Sequence, residues 1–189
     1  MHTESAPRDP RGALLIALAR VAIARQLGEA VGEMPHPPWL DEPGAVFVTL
    51  TRHGELRGCI GSLSARRPLG RDLEANAHAA AFDDPRFPPL GRDEWPDVRV
   101  EVSLLSAAEP LPCADEAEAL AQLRPGIDGV ILEYGWYRAT FLPQVWDQLP
   151  EPRDFLAHLK RKAGLAPDFW AKGMKLSRYT VEKFKEGEV

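Results

Sequence analysis

Apolar residues recur along the chain with two different periods, and these periods predict most of its helices and strands. Steps of three and four residues predict helices at 11–31, 68–82, 114–123 and 151–163. Continuous or alternating runs of β-prone residues predict strands at 45–51, 55–60, 98–105, 127–133, 136–142 and 176–184. Prolines follow or join these elements, so they end helices and mark the loops between them.

Two pairs of predicted strands are joined so closely that each pair predicts a hairpin. His53-Gly54 separates the strands of the first pair, and Tyr134-Gly135 separates those of the second. Glycine accepts the positive φ that tight hairpin turns need. A helix lies close in sequence to each hairpin, and the order of elements is not strictly β-α-β. We therefore expect an α+β fold with a mainly antiparallel sheet and two halves alike in outline.

The register of the first hairpin decides which way its polar side chains point. With a two-residue turn, Leu50 faces Arg57. Val48 then faces Cys59, so Arg57 and Cys59 project from the same face of the sheet. A one-residue bulge would undo this pairing. The sequence leaves both registers open.

Charge and composition exclude several classes of protein. The 189 residues carry 28 acidic and 23 basic side chains, and the net charge of −5 argues against a broad phosphate-binding surface. No apolar run near the amino end is long enough to span a bilayer. Two cysteines far apart in the sequence predict reduced thiols and a cytoplasmic protein. Residues 1–11 lack a signal-peptide pattern and are expected to form a disordered leader. Residues 12–189 then form one domain, with 68–97 as a candidate smaller lobe.

The sequence contains no complete motif for metal binding or for the common catalytic chemistries. Its histidines lack the spacing of a metal-binding helix, and its two cysteines cannot supply a zinc or iron–sulfur site, so no metal site is expected. A hydrolase elbow, a phosphate-binding loop and a dinucleotide fingerprint are missing. Nucleic-acid binding is not expected, unless six basic residues form one patch: Arg66, Arg67, Arg71, Lys160, Arg161 and Lys162.

The stretch GAVFVTLTRHGELRGCIGSL resembles a known family. Its core LRGCIG, at 56–61, is the hallmark of the AmmeMemoRadiSam system protein A family, the prokaryotic relatives of the protein named for the AMME chromosomal deletion syndrome. Six further blocks match in order, so the resemblance covers about residues 12–184. They are AAAFDDPRFPPL, VEVSLLS, PGIDGVILEYG, ATFLPQVWDQLP, FLAHLKRKAGL and RYTVEKF.

The resemblance implies a fold and an association, but not a reaction. The implied fold is α+β, with a duplicated βαββ-type unit whose antiparallel strands curl into a barrel-like sheet, and with added helices that form a smaller lobe. The family's name also implies a role beside a Memo-like protein and a radical S-adenosylmethionine protein.

Cys59, in the hallmark block, is the sharpest candidate for a functional residue. The thiolate is the reactive form of cysteine, and a neighbouring cation such as Arg57 favours it. Gly58 and Gly61 remove side chains on both sides, which lets a ligand or another backbone approach closely. The structural alternative is a small buried hydrophobe in a strand, which is the common fate of a lone cysteine. Both interpretations stay open.

Two other polar residues, Glu101 and Asn76, each allow two interpretations. Glu101 lies in an otherwise apolar strand, where it either pairs with Arg57 near Cys59 or belongs to a solvated outer face. Asn76 falls near the inner side of helix 68–82, where an amide needs partners. It either caps a strand edge or faces the cleft.

Arg86 follows the end of the same helix in the run DDPRFPP. It is either an anion-binding residue at the cleft or the local ion-pair partner of Asp84 at a helix stop.

These residues give two hypotheses from different classes. The first is an enzyme or ligand-binding protein with its cleft at strand 56–61, in which Cys59 is a nucleophile or redox thiol and Glu101 an acid/base group. The residues expected to bind the ligand are Arg57, Gly58, Gly61, Asn76 and Arg86. The second is a non-catalytic adaptor that acts with Memo-like and radical S-adenosylmethionine proteins. Whether the chain is an enzyme, and which small ligand or cofactor it binds, is left open.

Overall fold

The computed structural model describes residues 9–187, which divide into two compact units. The first unit contains residues 9–105 and 182–187, and the second contains residues 106–181. The segment 68–97, considered above as a smaller lobe, belongs to the first unit. Each unit is described by itself below.

The elements lie mostly where the periods predict them. Within residues 9–187 the α-helices are α1 (Pro10–Gln26), α2 (Leu69–Phe82), α3 (Glu116–Gln122) and α4 (Pro152–Ala163). The strands are β1 (Pro43–Arg52), β2 (Glu55–Gly61), β3 (Arg67–Pro68), β4 (Val98–Leu105), β5 (Glu109–Pro110), β6 (Gly129–Tyr134), β7 (Tyr137–Phe141), β8 (Lys175–Tyr179) and β9 (Val181–Lys185). Short 3-10 helices occur at Pro38–Leu40, Trp95–Asp97 and Pro143–Asp147. None of these helices is long and apolar enough to cross a membrane.

Helix α1 begins within the segment expected to be a leader. Of that segment, 1–11, residues 1–8 lie outside the described residues, whereas Pro10 and Arg11 are helical. The Asp9 side chain accepts a hydrogen bond from the Arg11 backbone N–H at 2.8 Å. An aspartate cap followed by proline is a typical helix start, because the cap satisfies a free N–H and proline has none to leave unpaired.

Two predicted elements end differently in the structure. The first helix ends at Gln26 rather than at residue 31, since Gly28 adopts a φ of +77°, which a helix cannot continue through. The predicted strand 176–184 is two strands, β8 and β9, which separate at Thr180 and belong to different sheets.

The first unit is built on one sheet with the strand order β2–β1–β4–β9, and β3 pairs with the start of β1. Strand β1 runs antiparallel to β2, β3 and β4. Alternate residues of β1 and β4 form a core with α1 and α2: Val46, Val48, Leu50, Val98, Val100 and Val102. Because successive side chains of a strand point to opposite faces, Thr49 and Thr51 lie on the other face, here called the outer face.

The second unit has its own sheet with the order β5–β8–β6–β7, in which all neighbours are antiparallel. The α4 residues Phe155, Leu156 and Leu159 are fully buried in its core, and the Trp146 ring stacks on Phe155 with 3.7 Å between centroids. The α+β class with antiparallel pairing is therefore confirmed. In the described residues the barrel-like sheet is instead two open sheets, one in each unit.

The first hairpin has the predicted two-residue turn but also a bulge inside its ladder. His53 and Gly54 have φ angles of +52° and +85°, as a tight hairpin turn requires. The facing pairs are Arg52–Glu55, Thr51–Leu56, Leu50–Gly58 and Thr49–Cys59. Arg57 therefore has no facing residue on β1 and forms a one-residue bulge. The register drawn from the turn alone is wrong, because the bulge places Cys59 opposite Thr49 instead of Val48.

Candidate functional site

Three polar side chains stand in one row across the outer face of the first sheet. Cys59 on β2 lies opposite Thr49 on β1, and Thr49 lies opposite Glu101 on β4. Residues in register share a face, so the three side chains point the same way. The Thr49 hydroxyl donates a hydrogen bond to the Cys59 Sγ across 3.3 Å. All three residues are partly exposed, and we call them the Cys59 row.

The backbone of Cys59 is held by two side chains from the loop after α2. Strand β2 is an edge strand, so one side of it faces no other strand. The Cys59 N–H donates to Asp84 Oδ2 at 2.9 Å, and Arg86 Nη2 donates to the Cys59 carbonyl at 3.2 Å. Asp84 and Arg86 thus occupy the positions that a neighbouring strand would use, which protects this part of the edge from pairing with another chain.

Asp84 and Arg86 also form a strong ion pair with each other. Arg86 Nε and Nη2 donate to the two carboxylate oxygens of Asp84 at 3.0 and 2.7 Å. This pairing, helped by the backbone N–H groups of Cys59 and Arg86, holds the pKa of the buried Asp84 carboxyl far below its usual range. The pKa of Arg86 is raised, chiefly by its hydrogen bond to Asp84. Arg86 is therefore a cation, and it also donates to the Cys59 carbonyl.

Arg57 points away from the Cys59 row, contrary to the expectation that it supports the thiolate. Its Nε and Nη2 donate to the two oxygens of Glu94, each across 2.9 Å, and Nη2 also reaches the Pro88 carbonyl. Glu94 also accepts from Arg52, which continues the inward-facing positions of β1. The bulge turns Arg57 toward this inner side. The expected pairing of Arg57 with Glu101 is likewise replaced by the pair with Glu94.

Glu94 is ionised by its surroundings. The hydrogen bond from Arg57, together with the Gly91 N–H and the charge of Arg52, lowers the pKa of Glu94 to about 2. Arg57 is buried, and a buried guanidinium needs such a partner to offset its lost hydration. The pair fixes the loop between α2 and β4 against the first hairpin.

The two glycines beside Cys59 each allow a close approach by protein atoms. A Cβ at Gly58 would overlap the Ala80 carbonyl oxygen, so the backbone of α2 packs directly on β2. A Cβ at Gly61 would overlap the Phe47 ring, which lies over this glycine on the outer face. Gly58 therefore allows the close contact between β2 and α2. Gly61 lies on the outer face beneath the Phe47 ring.

Asn76 lies in a buried polar network that ties α2 to β1. Its Nδ2 donates to the Val46 carbonyl at 3.1 Å and to Asp72 Oδ2 at 3.0 Å. Asp72, also buried, accepts from the Val46 N–H at 3.0 Å and from Ser62 and Arg67, each at 2.7 Å. Asn76 thus binds the backbone of β1, which is an interior strand of the sheet.

The six basic residues considered for nucleic-acid binding are partly neutralised. Lys160 is fully buried and donates to Glu116 at 2.7 Å. Arg67 pairs with Asp72 at 2.7 Å. These two residues therefore offer no free charge to a phosphate backbone.

Metal-ligating residues are scattered in the part of the chain that the structure describes. No group of three or more His, Cys, Asp or Glu side chains in residues 9–187 could hold a metal ion. Cys59 and Cys113 are both free thiols. Cys113 lies in the second unit, where burial and the nearby Glu118 and Asp115 raise its pKa.

Sequence reasoning missed two residues that shape the site. Thr49 looked like an ordinary β-strand residue, and its hydrogen bond to Cys59 depends on the bulge. Glu94 stands 37 positions after Arg57 among other acids, and nothing in that spacing marks it. A lone arginine beside an apolar strand does signal that an acidic partner exists, but not which one.

The comparison with known families decides the family of this chain. A family model described as AMMECR1 matches residues 16–184. The chain belongs to the AMMECR1 family. Protein MJ0810 of Methanocaldococcus jannaschii is 39% identical over 186 residues, which cover 94% of this chain and 90% of that protein. Protein PF1979 of Pyrococcus furiosus is 40% identical over 194 residues, which cover 95% of this chain and 90% of that protein.

A solved structure is similar over nearly the whole chain. The crystal structure of the uncharacterized protein PH0010 from Pyrococcus horikoshii has a TM-score of 0.78 and 37% sequence identity, and the match covers 95% of this chain and 93% of that one. This similarity supports both the fold and the family of the chain.

Proposed function

We propose that the outer face around Cys59 is the functional site of this AMMECR1-family protein, and that the Cys59 thiol reacts with or binds a small molecule of the cytoplasm there. The hydrogen bond from Thr49 to the Cys59 Sγ carries this proposal. A hydroxyl that donates to sulfur favours the thiolate over the thiol, and the thiolate is the nucleophilic form. Arg86, bound to the Cys59 carbonyl, adds a positive charge nearby.

Glu101 is the proposed acid/base group of the site. It stands two strands away from Cys59, which is about 10 Å at the usual strand spacing. At that distance Glu101 does not touch the thiol, and it serves a second part of the ligand. A molecule that bonds to Cys59 and also reaches Glu101 must therefore span two strands along the row.

The remaining residues divide between ligand contact and support. Arg86 keeps a half-exposed guanidinium beside Cys59, and we expect it to bind an anionic part of the ligand. Gly61 and the Phe47 ring over it border the row on one side. Arg57, Gly58 and Asn76 contact loop, helix and strand atoms, so their proposed role is to hold β2 in place from behind.

Alkylation of the two thiols by iodoacetamide at different pH values tests the proposal. Cys113 is a built-in control, since burial raises its pKa. We expect Cys59 in the folded protein to react faster at pH 7 than both Cys113 and N-acetylcysteine, and Cys59→Ser to remove the fast phase. A Cys59 that reacts no faster than N-acetylcysteine, or only after unfolding, would overturn the thiol role.

A second candidate is an adaptor for Memo-like and radical S-adenosylmethionine proteins. Trp136, at the turn between β6 and β7, favours it, because the residue is 89% exposed and tryptophans are enriched at protein interfaces. Binding of the purified partners is measured for the wild-type chain and for Trp136→Ala. Micromolar binding that Trp136→Ala loses supports the adaptor function. If the wild-type chain binds neither partner, the adaptor function is ruled out.

A further inference from the structure

Two arginines at the end of the first hairpin have buried N–H groups that no described residue accepts. Arg57 is only 8% exposed, and its Nη1 is buried without a hydrogen-bond partner in residues 9–187. The Nε of Arg52 is in the same situation. Buried donors of charged groups are rarely left unbonded, because the lost hydration is then not compensated. Two such donors on neighbouring arginines indicate an acceptor from outside the chain.

The nearby carboxylate cannot serve these donors. Glu94 Oε1 already accepts from Arg57 Nε at 2.9 Å and from Arg52 Nη1 at 3.2 Å. Its Oε2 accepts from Arg57 Nη2 at 2.9 Å and from the Gly91 N–H at 3.0 Å. With four donors, the lone pairs of a carboxylate are used. The two guanidinium groups are also held side by side, since both bind the same Glu94 oxygen.

This cluster is separate from the Cys59 row and is open to solvent on one side. Arg52 lies on the inward-facing positions of β1, whereas Cys59 lies on the outer face. The Arg52 side chain is 37% exposed, so a small molecule can approach from its side while Arg57 forms the buried end. Asp97 lies 3.9 Å from Arg52 and 3.6 Å from His53, at the exposed rim.

We propose that this cluster binds an oxyanion, a carboxylate or phosphate group, which accepts hydrogen bonds from Arg57 Nη1 and Arg52 Nε. Guanidinium groups present rigid N–H donors that match the oxygens of carboxylates and phosphates. Two arginines share one partly buried carboxylate, Glu94, which leaves a positive charge for the ligand. Asp97 opposes binding only weakly, because it is half exposed and its distance from Arg52 is long. The site is independent of the thiol chemistry proposed above.

Titration with inorganic phosphate and with acetate, each in a low-salt buffer without other oxyanions, tests the proposal. The readouts are the binding isotherm and the ¹⁵N–¹H resonances of the arginine side chains. We expect saturable one-to-one binding of at least one probe, with shifts at Arg57 and Arg52. Binding of phosphate alone identifies a phosphate ligand, and binding of acetate a carboxylate ligand.

Matched arginine variants locate the binding. Arg52→Lys keeps the charge but removes Nε, and we expect affinity to fall at least tenfold. Arg20→Lys is the control, since Arg20 pairs with Glu186 and stacks on Trp95 instead. If neither probe shifts the Arg57 resonances, or if Arg52→Lys binds as the wild type does, the proposal is wrong and water serves these donors. Both outcomes are independent of Cys59 alkylation.

Discussion

Arg86 donates a hydrogen bond to the carbonyl of Cys59, which stands 27 positions earlier in the chain. Two sequence blocks, the hallmark LRGCIG and the run DDPRFPP, therefore meet at one peptide of an edge strand. Asp84 accepts a hydrogen bond from the N–H of the same residue, Cys59. The two interactions together stabilise the backbone conformation of Cys59. The thiol therefore projects from a backbone whose N–H and carbonyl are both held by side chains.

The Asp84 carboxylate should contribute strongly to stability. In Asp84→Asn the buried bidentate pair with Arg86 is lost, and Arg86 is half exposed, so we expect a loss of about 1–3 kcal/mol in the free energy of unfolding. Urea denaturation at pH 7 measures this change. The adjacent Asp83→Asn is the control, because Asp83 is exposed and pairs with His78 at the surface. A change no larger than that of the control would contradict the assigned role.

Acid should destabilise the first unit through Glu94. The folded-state pKa of Glu94 is about 2, below the ordinary value of about 4.3 in an unfolded chain. The unfolded state therefore binds the proton more readily, and the stabilisation is lost as the pH falls from about 5 to 2. Urea denaturation across this range should show that the free energy of unfolding falls steeply with decreasing pH in the wild type and less steeply in Glu94→Gln. Parallel curves for the two proteins would show that Glu94 is not the source.

The Thr49 hydroxyl should set the reactivity of Cys59. Thr49→Val keeps the shape but removes the donor to Sγ, so we expect alkylation at pH 7 to slow about three- to tenfold, since losing one hydrogen bond costs about 0.5–1.5 kcal/mol. Thr51→Val, on the same face one row away, should react as the wild type does. Equal rates for the two variants would remove Thr49 from the site.

A methyl group at Gly58 should separate α2 from β2. In Gly58→Ala the new Cβ would overlap the Ala80 carbonyl, and such overpacking costs about 1–3 kcal/mol. Gly32→Ala is the matched control, because nothing lies within 4 Å of its Cβ position. Thermal unfolding of both variants measures the difference. An unchanged melting temperature in Gly58→Ala would mean that the helix does not pack on β2 this closely.

Local patterns predicted the elements well and side-chain directions less well. Helix α2, strand β4 and both hairpins follow from periodicity and turn residues, which depend on neighbours in sequence. The direction of Arg57 depends on a bulge, and the bulge goes with contacts to Glu94 and Ala80 that are distant in sequence. No pattern along one strand contains that information, so the partners of Arg57 and Cys59 could not be predicted.

The separation of β8 from β9 at Thr180 could not be predicted, for a related reason. Residues 176–184 form one continuous β-prone run, and periodicity does not show where a chain leaves one sheet for another. In the structure, Ser106 binds the residue at which the two strands separate. Its backbone N–H donates to the Thr180 carbonyl, and its hydroxyl accepts from the Thr180 N–H. These contacts join positions 74 apart.

The return of the chain in β9 also has a consequence for the order of assembly. The second unit is inserted between β4 and β9, so the first sheet receives its last strand only after residues 106–181 have been synthesised. Phe184 of β9 packs directly on Gly12 of α1, which stands far earlier in the sequence. A nascent chain on the ribosome therefore carries the Cys59 strand in an incomplete unit until β9 has been synthesised.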